Sequence, residues 1–202
     1  MGAVPPALLA ALALAASLDV PEPAAPPDHP PAVLLVRGGP FTGSGMVWDS
    51  ATRRVLTALH VVEEMPEGAI EIILPGRDPL PARIVDREPL LDLAVLEVAG
   101  ALDAAPPLGA AATLVPGDRI SLVACPQARC GRGEGHVLAA ARPFAGSRYL
   151  ALAAEVAPGA SGSPVLDARG AVVGIVDLAL LREPGVALAV PIERATARFP
   201  RG

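Results

Sequence analysis

Lysine and asparagine are absent from this 202-residue chain, and aromatic residues make up only 2% of it. With so few rings, a core has to be assembled from Val, Leu, Ile and Ala, which a hydrophobic content of 52% supplies. The side-chain cations other than histidine are all arginine, and the net charge is -5. Nucleic-acid binding needs a concentrated basic face, and no run of like charge occurs anywhere in the sequence, so a DNA or RNA partner is not expected. Cysteine is scarce too, with only Cys125 and Cys130. A structural zinc site takes about four ligands, and only His136 lies near the pair; no metal and no organic cofactor is implied. In an oxidising compartment the two thiols could close a small loop as a disulfide, and two free thiols are the alternative.

The first 31 residues differ from the rest. Residues 7–16 (ALLAALALAA) form an apolar run of ten, too short to span a bilayer as a helix. The run ends on the small residues Ala15 and Ala16, with Ser17 next, which is the chemistry a signal peptidase accepts. The expected reading is a signal peptide over residues 1–20; a buried helix is the alternative. Residues 21–31 (PEPAAPPDHPP) are too rich in proline for a helix or an interior strand and read as an extended linker. The expected location is therefore exported, periplasmic or extracellular in a bacterium, with no stable membrane insertion of the mature protein.

Beyond residue 31, short apolar segments alternate with Gly, Pro and Asp. The segments 32–36, 45–48, 54–57, 70–74, 82–85 and 93–98 read as strands. A Pro/Gly/Ala stretch over 100–112 interrupts them, and the pattern resumes at 120–124, 135–140, 149–152, 164–166, 172–176 and 186–190. One helical turn is expected at 60–65 and a short terminal helix at 192–199. Two groups of six strands about a connector predict an all-β fold of two packed antiparallel barrels, over about 32–99 and 113–199. A parallel α/β sheet would need long helices between the strands.

Three residue types then bear on chemistry. Ser161 stands in Pro158-Gly159-Ala160-Ser161-Gly162-Ser163-Pro164, where small neighbours let backbone N–H groups turn toward a bound carbonyl. A serine hydroxyl needs a base and donors for the oxyanion it creates; the N–H groups of Gly159 and Ser161 are the natural donors. Of the three histidines, His29 lies in the proline linker and His136 opens a strand after a glycine, whereas His60 sits at a strand-to-turn junction. Asp92 is a carboxylate among aliphatics, in Leu91-Asp92-Leu93-Ala94-Val95-Leu96. A buried aspartate needs a partner, and an imidazole N–H is one that also fixes the tautomer.

Taken together, Gly43-Ser44-Gly45-Met46-Val47, Val55-Leu56-Thr57-Ala58-Leu59-His60-Val61-Val62, Asp92-Leu93-Ala94-Val95-Leu96 and Gly159-Ala160-Ser161-Gly162-Ser163-Pro164 resemble the four signature blocks of trypsin-like serine proteases. The similarity is greatest to the bacterial high-temperature-requirement (HtrA) group and runs from about Ala32 to Phe199. The order His, Asp, Ser is that of the chymotrypsin fold. The resemblance implies a serine endopeptidase acting on polypeptides through a covalent acyl-enzyme. Ser161 would be the nucleophile, His60 the base and Asp92 its orienting partner, with the Gly159 and Ser161 N–H groups as the oxyanion hole. A catalytically silent two-barrel binding module is the alternative.

The sequence departs from the family pattern at Ser163, where glycine is usual, at Leu59 before the histidine, and at Ala160. The last stands where animal trypsins carry the aspartate of their zymogen switch, so no such switch is expected. No PDZ segment follows before Gly202, and the expectation is a protease domain alone. In this fold the residue six before the nucleophile lies near the floor of the primary pocket, which makes Glu155 a candidate for pairing with Arg or Lys of a substrate. Val176 and Asp177 would contribute the opposite wall, with a solvent-facing Asp177 as the alternative.

Overall fold

The computed structural model describes residues 33–38, 41–66, 68–125, 130–179 and 183–202. The expected signal segment, the proline-rich linker and His29 lie outside the described residues. Six strands, β1 (Val33–Gly38), β2 (Phe41–Asp49), β3 (Arg54–Ala58), β4 (Glu71–Ile73), β5 (Leu80–Glu88) and β6 (Leu93–Val98), close a first barrel in the order β1-β2-β3-β6-β5-β4. Six more close a second: β7 (Arg119–Ala124), β8 (Gly131–Phe144), β9 (Ser147–Ala153), β10 (Pro164–Asp167), β11 (Val172–Ala179) and β12 (Val186–Pro191). Read from β7, their order is β7-β8-β9-β12-β11-β10, the same path as in the first barrel. Every strand pairing within the barrels is antiparallel. Closure leaves no sheet edge.

Among the described residues, helix is limited to one turn, α1 (Leu59–Val62), a 3-10 turn at Ala111–Thr113 and the terminal α2 (Ile192–Arg198). None is long and apolar enough to cross a membrane. The all-β expectation, with two six-stranded barrels and a short C-terminal helix, matches what is observed.

Aliphatic side chains build three cores. One fills the first barrel, around Leu34, Val36, Val47, Ile72 and Leu96. Another fills the second, around Leu122, Leu150, Leu152, Val165 and Val173. The third is shared, joining Met46, Trp48 and Leu93 of the first barrel to Leu166, Ile175, Val190 and Phe199. Trp48, the single tryptophan, is fully buried there, and its Nε1–H donates to the carbonyl of Phe199 at 3.0 Å. A buried indole N–H without an acceptor would be costly, so this bond fixes α2 against the first barrel. Arg198 of α2 adds ion pairs to Asp86 and Glu88 of β5. The barrels are thereby held face to face, with the first two signature blocks of one against the serine turn of the other.

Candidate active site

His60 is the second residue of α1, into which β3 runs directly. Asp92 lies in the turn between β5 and β6 with φ +52°, a left-handed conformation that aspartate tolerates better than most residues. In that conformation one residue serves α1 three times. Its carbonyl accepts from Leu59 N at 2.8 Å, Oδ1 accepts from His60 N at 2.9 Å, and Oδ2 meets His60 Nδ1. His60 is thus held at two points, its backbone N–H and its ring Nδ1, while its side chain stays 42% exposed.

The hydrogen bond to Asp92 holds His60 above its ordinary pKa; burial works against this, and the charges of Asp92, Asp177 and Glu63 reinforce it. Burial alone would push the Asp92 carboxyl up, but the hydrogen bonds and charge of His60 outweigh it and leave Asp92 below the usual carboxylate range. Asp92 is therefore the ionised acceptor, and Nδ1 carries the proton it accepts. That leaves Nε2 as the basic atom of the ring.

Ser161 stands between β9 and β10, in a turn bent at Gly159 (φ +90°) and Gly162 (φ +83°). L-residues rarely adopt such angles. At Gly162 space is closed as well, since a Cβ there would lie 2.1 Å from the Ser44 carbonyl oxygen. Ser161 Oγ donates to the Asp177 carbonyl at 3.3 Å; among the described residues no hydrogen bond joins it to His60. Neither the Gly159 nor the Ser161 N–H has a protein acceptor among the described residues, so both are available to a ligand.

Ser44 of β2 ties the turn to the rest of the molecule. Its N–H donates to the Ser161 carbonyl at 2.8 Å, and its hydroxyl donates to the Gly159 carbonyl at 2.7 Å. The same hydroxyl accepts from Cys125 N at 2.9 Å, and its carbonyl accepts from Thr57 Oγ1 at 2.7 Å. Cys125 is itself joined to Cys130 by a disulfide. A methyl group on Gly43 would strike Val61, next to His60, and approach the Ser161 carbonyl. The histidine segment and the serine turn therefore flank β2.

His60 and Asp92 are joined directly, and Ser161 is linked to them through Asp177, whose carbonyl meets its hydroxyl and whose carboxyl faces the pair, whereas the three residues expected to line a specificity pocket do not converge. Glu155 is exposed, beside Glu134, His136 and Gly185. Val176 packs inside the second barrel, with its N–H on the Ser163 carbonyl and its carbonyl on Gly162 N. Asp177 is 5% exposed, and its carboxyl faces Asp92 and His60, with ligand atoms of all three within 4.8 Å of one another. Neither solvent nor a pocket wall describes it. Ser163 is fully buried, and its hydroxyl has no partner among the described residues.

Two contributors have a signal in the sequence that does not point to these roles, Ser44 with no role expected and Asp177 expected at a pocket wall. Ser44 lies in the first signature block, between Gly43 and Gly45. Asp177 stands in Ile175-Val176-Asp177-Leu178, a carboxylate among aliphatics just as Asp92 is.

Comparison with known proteins gives the family and the fold. HhoA of Synechocystis sp. is 29% identical over 170 residues, covering 77% of this chain and 41% of that protein. The mitochondrial serine protease HTRA2 of Drosophila grimshawi is 28% identical over 183 residues, covering 82% of this chain and 42% of its own. The chain thus spans about two fifths of the length of these relatives. The fold matches that of the Rv3671c protease of M. tuberculosis H37Rv in an inactive form, with TM-score 0.70 at 23% identity over 84% of this chain and 87% of that one. Residues 43–175, which contain His60, Asp92 and Ser161, match the trypsin-like peptidase domain, and the chain belongs to that family.

Proposed function

We propose that this chain is a serine endopeptidase that cleaves polypeptides through an acyl-enzyme on Ser161, and that it works outside the cytoplasm. The observation that carries the reading is the double hold of Asp92 on His60, at the backbone N–H and at Nδ1, which leaves Nε2 unoccupied beside a serine turn with two unused N–H groups. In the reaction Ser161 Oγ releases the Asp177 carbonyl and gives its proton to His60 Nε2 as it attacks the scissile carbonyl carbon. The oxyanion so formed accepts from the N–H groups of Gly159 and Ser161. His60 then returns the proton to the departing amine, and water attacks the acyl-enzyme by the same route. Asp92 stays ionised and stabilises the imidazolium. The disulfide between Cys125 and Cys130 supports an oxidising compartment.

A fluorophosphonate probe tests this. Wild-type protein is expected to label at Ser161, Ser161→Ala to lose the label, and labelling to rise with pH as His60, held above its ordinary pKa, loses its proton. Equal labelling of both proteins, or no labelling of folded wild type, would overturn the proposal; the latter is the outcome of a silent binding module.

A further inference from the structure

Asp177 is a buried acid that the mechanism above leaves without a task. The strand pairing explains its direction. Val176 pairs with Ala189 and Leu178 with Leu188, so Asp177 is an extra residue of β11 without a partner on β12. A bulge of this kind re-aims a side chain, and here it turns the carboxyl toward the triad. No arginine forms a salt bridge with it among the described residues. The groups facing it are the Asp92 carboxyl from the β5–β6 turn, the His60 ring from α1 and the Tyr149 hydroxyl from β9. Glu63, just past the end of α1, acts on His60, and Arg194 of α2 acts on Tyr149, one step further out.

Two carboxyl groups this close in a buried place cannot both be ionised at low cost. Asp92 is committed to the charged form by two hydrogen bonds from His60, so the shared proton resides on Asp177. A neutral acid has one O–H to donate, and the ionised acceptor that faces it is Asp92.

We propose that Asp177, as a neutral acid, is a positioning residue that donates a hydrogen bond to Asp92 and steadies its carboxylate against His60. Tyr149 stands behind it, so that a chain Tyr149–Asp177–Asp92–His60 runs from the second barrel into the first. Burial pushes the Asp177 carboxyl up to about 7, with Asp92 adding to the shift. When the proton leaves, a second negative charge confronts the His60–Asp92 pair. The hydrogen bond is lost, and His60 holds its own proton more tightly. The acid limb of the rate profile therefore belongs to His60 and Asp177 jointly.

The inference rests on the triad reading, and the two can fail separately. The pH dependence of kcat and of kcat/KM would be measured for wild type, Asp177→Asn, which keeps a donor but cannot ionise, and Asp177→Ala, which has neither. Both variants are expected to shift the acid-limb midpoint to lower pH. The Ala variant is expected to fall below the Asn variant in kcat by roughly tenfold, the scale of a lost hydrogen bond to a charged group, with KM little changed. Unmoved midpoints in both variants, or equal kcat in the two, would overturn the inference while Ser161-dependent labelling left the triad intact. A readout independent of activity is the proton NMR signal of His60 Nδ1–H in wild type. It is expected to show two steps, one from His60 itself and one with a midpoint near 7 from Asp177, of which Asp177→Asn removes the second. Persistence of both steps in the Asn variant sinks the inference even if the Ala variant does not fold.

Discussion

The first barrel and the second follow the same strand path but secure their share of the site by different means. His60 and Asp92, both from the first barrel, grip each other through side-chain bonds and charge, across 32 residues of sequence. The hydroxyl of Ser161, from the second, makes only a 3.3 Å contact among the described residues. Its position comes from a backbone turn with two left-handed glycines and from Ser44 of the opposite barrel. One half of the site is therefore an electrostatic device and the other a conformational one. Changes in the first should register as shifts along the pH axis, and changes in the second as loss of rate at unaltered pH midpoint. Asp177 belongs to both, with its carboxyl facing Asp92 and its carbonyl accepting from Ser161.

The contrast is tested most severely at Gly162. An alanine there would combine a left-handed φ, worth about 1–2 kcal/mol, with a contact of 2.1 Å to a backbone oxygen that cannot move aside cheaply. Gly162→Ala is expected to abolish labelling of Ser161 and to lower Tm by roughly 10 °C or more in calorimetry. Retained labelling would show that the turn is softer than its geometry implies.

Ser44→Ala is a milder probe of the same half. It leaves the Gly159 carbonyl and Cys125 N–H without the hydroxyl they share, a cost of about 2–3 kcal/mol if neither finds a substitute. Stopped-time labelling should slow while the pH midpoint stays at the wild-type value. A shifted midpoint would mean that the halves are not separable in this way.

Trp48→Phe should have the smallest effect. It removes the hydrogen bond to the Phe199 carbonyl from the interface that carries both halves, at about 1 kcal/mol. A Tm loss of roughly 2–4 °C in thermal melts with an unchanged pH profile is expected. A change in that profile would show that α2 reaches the site.

Much of this was legible in the sequence because aliphatic strands broken by Gly, Pro and Asp announce themselves. All twelve expected strands occur, and His60 falls where β3 gives way to α1. The strand expected at 135–140 extends over Gly131–Phe144, because exposed residues and two register shifts interrupt its alternation. Register shifts also concealed Asp177. A period of two residues cannot reveal where a strand gains an unpaired member, and without the bulge the side chain has no defined direction. Glu155 was placed by counting back from Ser161, and a count does not say which side of a loop faces the cleft. Ser44 was hidden differently: its worth lies in groups 115 and 81 residues away, Gly159 and Cys125, and no local pattern encodes such partners.

The bond from Trp48 to Phe199 spans 151 residues, and this orders events as the chain leaves the ribosome. His60 can meet Asp92 once β6 has emerged, long before Ser161 exists. The shared core must wait for α2, so the first barrel's indole remains without its acceptor through most of synthesis. Contacts this distant in sequence slow folding. They also mean that a nascent chain carries His60 and Asp92 before Ser161 is in place, and brings the three together only as its last strands and α2 dock.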